Sequence, residues 1–190
     1  MTVKDDIVGY IDGNDRKTTN AGKTLHQGVE LGLDVQLTTE FSVQLSWTAT
    51  DQEYRSYSYI YSCYPPACIP PVNETRDYAG FKVGRAPEEF GSISLHYSSA
   101  LLPGFSAEAE WEDLGKYYVD ETNTDRYKGH DLLNLRAEYQ AADNWKVYGR
   151  VMNVADAHYA SNASLNVGST DVQYTPGLPR TWYLGLSVSF

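Results

Sequence analysis

The chain has 190 residues, a formal net charge of -10, 16 Tyr, 4 Trp and 2 Cys. That length supplies one domain with a sizeable core, and the acidic balance excludes the clustered Lys and Arg that nucleic-acid phosphates require. No window approaches the ~18 consecutive apolar residues of a membrane helix, which leaves membrane β-barrels open, because their strands alternate and average to a low hydropathy.

The N-terminal stretch from Met1 lacks the apolar core and small-residue cleavage site of a secretory signal. It reads as a strand over 3–11, followed by a polar loop over 12–23. Residues 27–38 alternate Val29, Leu31, Leu33, Val35 and Leu37 with Glu30, Gly32, Asp34 and Gln36, the period of a two-faced strand. A tight turn at 38–40 leads into Phe41, Val43, Leu45, Trp47 and Ala49, which alternate with Ser42, Gln44, Ser46 and Thr48. Residues 54–88 form a long irregular segment with several prolines and both cysteines. Strands return at 92–98 and, after a short link over 100–104, at 105–112, where Phe105, Ala107, Ala109 and Trp111 oppose Ser106, Glu108, Glu110 and Glu112. A polar loop over 119–129 precedes a strand at 133–140. A turn at 141–144 joins it to another at 145–151, and a long loop over 155–180 leads to the final strand. There Trp182, Leu184, Leu186, Val188 and Phe190 share one face, with Tyr183, Gly185, Ser187 and Ser189 on the other.

This pattern predicts an all-β antiparallel meander of about eight strands whose connections alternate long and short. A soluble sandwich has no reason to sort its loops in this way. A transmembrane barrel does, with short periplasmic turns and long external loops; parity then makes the C-terminus periplasmic. Glu30, Asp34, Glu108, Glu110, Glu112, Arg136, Glu138, Lys146 and Arg150 fall on the polar faces. In a wide barrel they line a hydrated lumen, where opposite signs on neighbouring strands can pair. The reading requires Leu31, Leu133 and Leu184 to share one face.

Few residues suggest chemistry. Cys63 and Cys68 enclose Tyr-Pro-Pro-Ala; in an oxidising compartment they form a bridge pinning a loop tip or stay as two free thiols. Their spacing does not suit zinc. Tyr57, Tyr59 and Tyr61 alternate, and either present rings to an external ligand or extend an aromatic belt. The period-2 spacing of Glu108, Glu110 and Glu112 marks lumen lining rather than a catalytic carboxylate pair. His26, His96, His130 and His158 lack metal-ligand spacing. No nucleophile elbow, phosphate loop or His-Glu-x-x-His occurs, so neither an enzyme nor a cofactor is expected.

Asn153-Val154-Ala155-Asp156, Tyr159, the turn Pro176-Gly177-Leu178-Pro179-Arg180 and the strand ending in Phe190 together resemble the C-terminal end of TonB-dependent outer-membrane receptors. Gly28-Val29-Glu30 resembles a further step of that family. Val154-Ala155 stands where Leu-Phe is usual. The resemblance implies that residues 1–190 are the C-terminal part of a barrel of about 22 strands, the tail of a longer polypeptide carrying the plug and N-terminal strands. It implies an open or curved sheet for this chain alone, and a parent importing a ferric siderophore or similar scarce nutrient with energy delivered by TonB. Outer-membrane lipid is the expected surroundings. Gly185, Val188 and Phe190 resemble the signal read by the barrel-assembly machinery. The alternative is a self-contained eight-stranded structural or adhesion barrel, which requires the strand at 3–11 to pair with the final strand.

Overall fold

The computed structural model describes residues 2–12, 15–66, 68–165 and 171–189. Its strands are β1 (Thr2–Asp12), β2 (Asp15–Gln36), β3 (Phe41–Ser56), β4 (Ser58–Cys63), β5 (Val72–Asp77), β6 (Glu89–Ser98), β7 (Phe105–Leu114), β8 (Tyr117–Tyr118), β9 (Arg126–Tyr127), β10 (His130–Ala142), β11 (Trp145–Met152), β12 (Ala160–Leu165), β13 (Val172–Pro176) and β14 (Thr181–Val188). The main sheet has the order β14-β11-β10-β7-β6-β3-β2-β1-β4-β5. Strands β1, β2, β3, β6, β7, β10, β11 and β14 form the antiparallel meander read from the sequence. Among the described residues the β4–β5 hairpin joins it through a parallel bridge, Asp12 to Ser62.

Cross-strand partners point to the same face of a sheet, so the register tests the face assignment directly. Leu33, Leu45, Ile93, Trp111 and Leu133 are successive partners across β2, β3, β6, β7 and β10. Leu135, Val151 and Trp182 continue the set across β10, β11 and β14. Leu31 and Leu184 lie two residues along from members of these rows, so Leu31, Leu133 and Leu184 share one face. The opposite face carries Gln36, Ser42, His96, Glu108, Arg136, Arg150 and Tyr183 in one row. Asp34, Gln44, Ser94, Glu110 and Asn134 form the next.

The apolar face is bare. Leu184 is 84% exposed and Leu33 51%; no second layer covers them, which rules out the two-layer soluble sandwich. Two sets of aromatics frame this face. Phe41, Tyr97, Phe105, Tyr139 and Trp145 lie towards the short turns, with Phe41 and Tyr97 ring centroids 4.8 Å apart. Trp47, Trp111 and Trp182 lie about six residues further along their rows, roughly 20 Å at ~3.3 Å per residue. Beyond the tryptophans the same face becomes acidic, with Glu89 opposite Ala49 and Asp113 opposite both Gly91 and Asp131. An apolar band about 25 Å tall between aromatic girdles is the outer surface of a membrane barrel.

Among the described residues β1 pairs with β2 and β4, while β14 is an edge strand paired with β11. The sheet does not close, so the eight-stranded self-contained barrel is not what this chain builds. Three further expectations need correction. The polar stretch over 12–23 is ladder rather than loop: β1 and β2 stay paired up to Asp12 and Asp15. Periodicity missed it because residues 12–23 are polar almost throughout and carry no apolar alternation to mark a face. The segment over 54–88 contains the paired β4 and β5, the loop over 119–129 contains β9, which pairs with β8 just before it, and the loop over 155–180 contains the pair β12–β13. On the short-turn side Gly104, at φ +89, accepts a hydrogen bond from the Gln140 amide at 2.9 Å. A Cβ on Gly104 would come within 2.5 Å of the Gln140 carbonyl oxygen, so only glycine fits there.

Charge on the bare face should be far more disruptive than charge opposite it. Leu135→Arg is expected to cost about 2–4 kcal/mol in a lipid bilayer, and the inward-facing Ser187→Arg well under half of that. Equilibrium unfolding in lipid measures both; equal costs would refute the face assignment.

Candidate functional site

The inner face is a lattice of charges set by register. Arg136 on β10 lies opposite Glu108 on β7. Its Nη1 reaches Glu108 Oε1 at 2.8 Å and its Nη2 reaches Glu110 Oε2 at 2.7 Å. His96 Nδ1 lies 3.2 Å from Glu108 Oε2, and Lys146 Nζ 3.0 Å from Glu138 Oε2. Gln44 donates to Asp34 at 3.1 Å. Opposite signs thus meet across strands, as the sequence led us to expect. Pairs in contact with water are worth about 0.2–1 kcal/mol each, too little to hold the sheet together; their effect is to keep the inner wall hydrated and compact. Three buried atoms on this wall, Arg136 Nε, His96 Nε2 and Asn134 Nδ2, have no hydrogen-bond partner among the described residues. Gly185 belongs to the same surface: a Cβ there would stand 2.2 Å from Tyr148 Cζ, so its absence makes room for the ring.

Buried apolar clusters lie above the band, among the long connections. Tyr54, Tyr57 and Tyr78 form one with Val83 against it; Tyr117, Val119, Tyr127, Ala160 and Ala163 form another with Leu114, Leu165 and Val172. Hydrogen bonds stitch the second cluster across loops. The Ala163 amide donates to the Tyr117 hydroxyl at 2.9 Å and the Ala160 amide to the Tyr127 hydroxyl at 3.1 Å. Burial pushes the Tyr127 phenol above its ordinary pKa, keeping it neutral and able to bond His130 Nδ1, 2.9 Å away.

Below this cap, Asn153 forms a clasp. At φ +52, a conformation Asn tolerates better than most side chains, it is 3% exposed. Its amide nitrogen donates to the carbonyls of Ala157 at 2.9 Å and Leu178 at 3.1 Å, and its amide oxygen accepts from the Ala157 backbone at 2.8 Å. Asp156 Oδ1 accepts from the Arg180 backbone at 2.8 Å. A Cβ on Gly177 would fall 2.1 Å from Tyr159 Cζ. The Asn153, Asp156, Tyr159, Gly177 and Arg180 pattern noticed in the sequence is therefore one physical unit, locking the two ends of the 153–180 connection together.

The singled-out external residues fare unequally. Tyr57 is 4% exposed, its ring centroid 4.9 Å from Tyr54 and 5.5 Å from Tyr78, and it is a core ring of the loops. Tyr61 carries the Arg76 guanidinium 3.7 Å from its ring centroid. For Tyr59 only the backbone, in β4, is described. A disulfide joins Cys63 to Cys68 at the tip of the β4–β5 hairpin, with Cα atoms 5.6 Å apart. Val188 faces outwards opposite Trp145, and Phe190 lies outside the described residues. Sequence reasoning missed the tyrosine-to-amide bonds, which link residues 33 and 46 positions apart and leave no local signal.

Removing the clasp leaves three backbone groups unpaired. Asn153→Ala is expected to cost about 2–4 kcal/mol and Asp156→Ala about 0.5–1.5, with faster amide exchange confined to the 153–180 connection. Hydrogen exchange measured by mass spectrometry checks this; uniform protection in both variants would show that the loop is held by other contacts.

Comparison with known proteins agrees with this architecture. Residues 1–154 match the family described as TonB dependent receptor-like, beta-barrel. The ferric yersiniabactin uptake receptor FyuA from Yersinia pestis superposes with a TM-score of 0.70 at 18% identity, covering 92% of this chain and 25% of that one. The siderophore receptor PiuA from Acinetobacter baumannii gives 0.69 at 20%, covering 90% and 22%. The copper transporter OprC gives 0.69 at 18%, covering 100% and 27%. The chain thus spans about a quarter of the length of these proteins, and at such identities the likeness concerns the fold. With its bare apolar band, charged inner wall and matched sequence, the chain belongs to the TonB-dependent receptor-like β-barrel family and lies in the bacterial outer membrane.

Proposed function

We propose that residues 1–190 form the C-terminal part of the barrel wall of a TonB-dependent importer whose cargo is a ferric siderophore or a similarly scarce metal complex. The observation that carries this reading is the open single-layer sheet, apolar outside and charged inside, which matches about a quarter of each siderophore receptor compared. A wall of this kind encloses nothing alone; the remaining strands and a lumen-filling plug come from the rest of a longer polypeptide. TonB acts through that same missing part.

The long connections face the outside of the cell. There the β4–β5 hairpin, tied by Cys63 and Cys68, holds Tyr61 and Arg76 together. Arg76 also pairs with Glu74 Oε1 at 2.7 Å, so the site offers an aromatic face and guanidinium hydrogen-bond donors with little net charge, which suits a catecholate-like chelate. Tyr59 shares the hairpin, and Tyr57 supports it from below. At the other end β14 has one free ladder edge, through which the barrel-assembly machinery can dock by strand addition, with Gly185, Val188 and Phe190 as its recognition residues.

Cells carrying the protein should accumulate at least one labelled ferric chelate under iron limitation in a TonB-dependent manner. Deleting its gene should abolish that uptake, and Tyr61→Ala should weaken it. Unchanged uptake across a panel of iron, copper and cobalamin substrates would remove the importer reading. Deletion of Phe190 should lower the amount of folded protein in the outer membrane several-fold, read by heat-modifiable mobility on gels; normal insertion would count against the assembly signal.

A further inference from the structure

One carboxylate outside the barrel wall is only half satisfied. Asp120, in the β8–β9 turn, is 6% exposed. Its Oδ2 accepts a hydrogen bond from the Thr122 hydroxyl at 2.5 Å. Its Oδ1 is buried with no hydrogen-bond partner among the described residues. A buried carboxylate oxygen is costly unless a donor, a water or a cation satisfies it.

The surroundings favour a cation. Thr124 Oγ1 lies 3.1 Å from Thr122 Oγ1, so side-chain oxygens from 120, 122 and 124 gather at alternate positions of one turn. Calcium-binding loops use oxygen ligands at this spacing. Asn123, between them at φ 55, ties the turn to Lys82: Nδ2 donates to the Lys82 carbonyl at 2.9 Å and to the Asp120 carbonyl at 3.3 Å, and Oδ1 accepts from the Lys82 amide at 2.6 Å. Glu121 and Asp125 add negative charge to the same turn. Of the nearby cations, Lys82 Nζ pairs with Asp51 and Arg126 with the Tyr118 hydroxyl and Glu88; the Arg85 side chain has no partner among the described residues. No three His, Cys, Asp or Glu side chains converge among the described residues, so a zinc or copper site is not formed. A single buried carboxylate among neutral oxygens suits a hard ion that keeps several waters.

The position gives such an ion something to do. Gly84 packs so closely that a Cβ there would stand 2.7 Å from the Asp120 carbonyl carbon, and the Arg85 amide donates to the Tyr118 carbonyl at 2.7 Å. The Leu165 amide donates to the Val119 carbonyl at 3.3 Å. Three external segments, before β6, between β8 and β9, and at the end of β12, meet at this one turn.

We propose that Asp120, Thr122 and Thr124 bind Ca2+, with water completing the shell, and that the ion fastens these three segments together. The affinity expected is that of extracellular modules, Kd on the order of 10^-4 to 10^-3 M.

Terbium, a luminescent Ca2+ substitute, tests this in the whole protein in detergent, because Tyr117, Tyr118 and Tyr127 flank the turn and can sensitise its emission. Tyrosine-excited emission that millimolar Ca2+ displaces is expected, lost in Asp120→Asn and weakened several-fold in Thr122→Val and Thr124→Val. Asp143→Asn, at a short turn on the opposite side, should leave it unchanged. Should Asp120→Asn fail to fold, the two threonine variants, which keep the carboxylate, carry the test. Absence of Ca2+-displaceable emission, or emission indifferent to all three substitutions, would overturn the proposal and leave Asp120 Oδ1 to an ordered water. Binding in detergent depends neither on cargo nor on TonB, so its failure and that of the importer reading are distinguishable.

Discussion

Inside hydrocarbon an unpaired peptide group costs several kcal/mol, and no water is present to relieve it. Everything in this wall follows from that constraint. The unbroken ladder from β1 through β2, β3, β6, β7, β10 and β11 to β14 pairs each strand with its neighbours, and once strands lie side by side, pleating forces alternate side chains to opposite surfaces. Leucines, valines and tryptophans meet acyl chains because no second layer exists to receive them. Compared with that requirement, the ion pairs around Arg136 are small in energy. Their importance is chemical: they leave a wetted interior where a soluble protein would keep a dry one.

Above the band the rules change, and so does the structure. Strands continue there as paired ladders, as β1 and β2 do to Asp12 and Asp15. Loops can also build small cores of their own. The tyrosines show the change of solvent most clearly. Tyr139 is exposed on the lipid face, whereas Tyr117 and Tyr127 bury their rings and spend their hydroxyls on backbone amides of another loop. A connection as long as 153–180 would be costly to order by itself; the Asn153 clasp and the tyrosine cap divide that cost among contacts that reinforce one another. Loops held in this way can offer fixed surfaces to a ligand, which mobile ones cannot do as well.

Period-2 alternation was sufficient to find eight strands and to assign Leu31, Leu133 and Leu184 to one face, since barrel strands carry their environment in every second residue. The sorting of connections into short and long likewise followed from composition, through turns such as 141–144 with Asp143-Asn144. It failed above the band: β4, β5, β8, β9, β12 and β13 are two to six residues long, too short to display a period, and the start of β2 is polar in sequence and so looks like loop. The motif around Asn153 and Arg180 was visible as a pattern without a cause until Asn153 was seen bonded to Leu178, 25 residues away.

Order along the chain therefore dictated which surface of each ribbon is greasy and where the ribbon turns back, because those are properties of neighbours in sequence. It could not dictate closure, the covering of Tyr57, the meeting of Gly185 with Tyr148 or the bare oxygen of Asp120. Each of those depends on which distant segments come within a few ångströms of one another, and such encounters are settled by the folded arrangement as a whole.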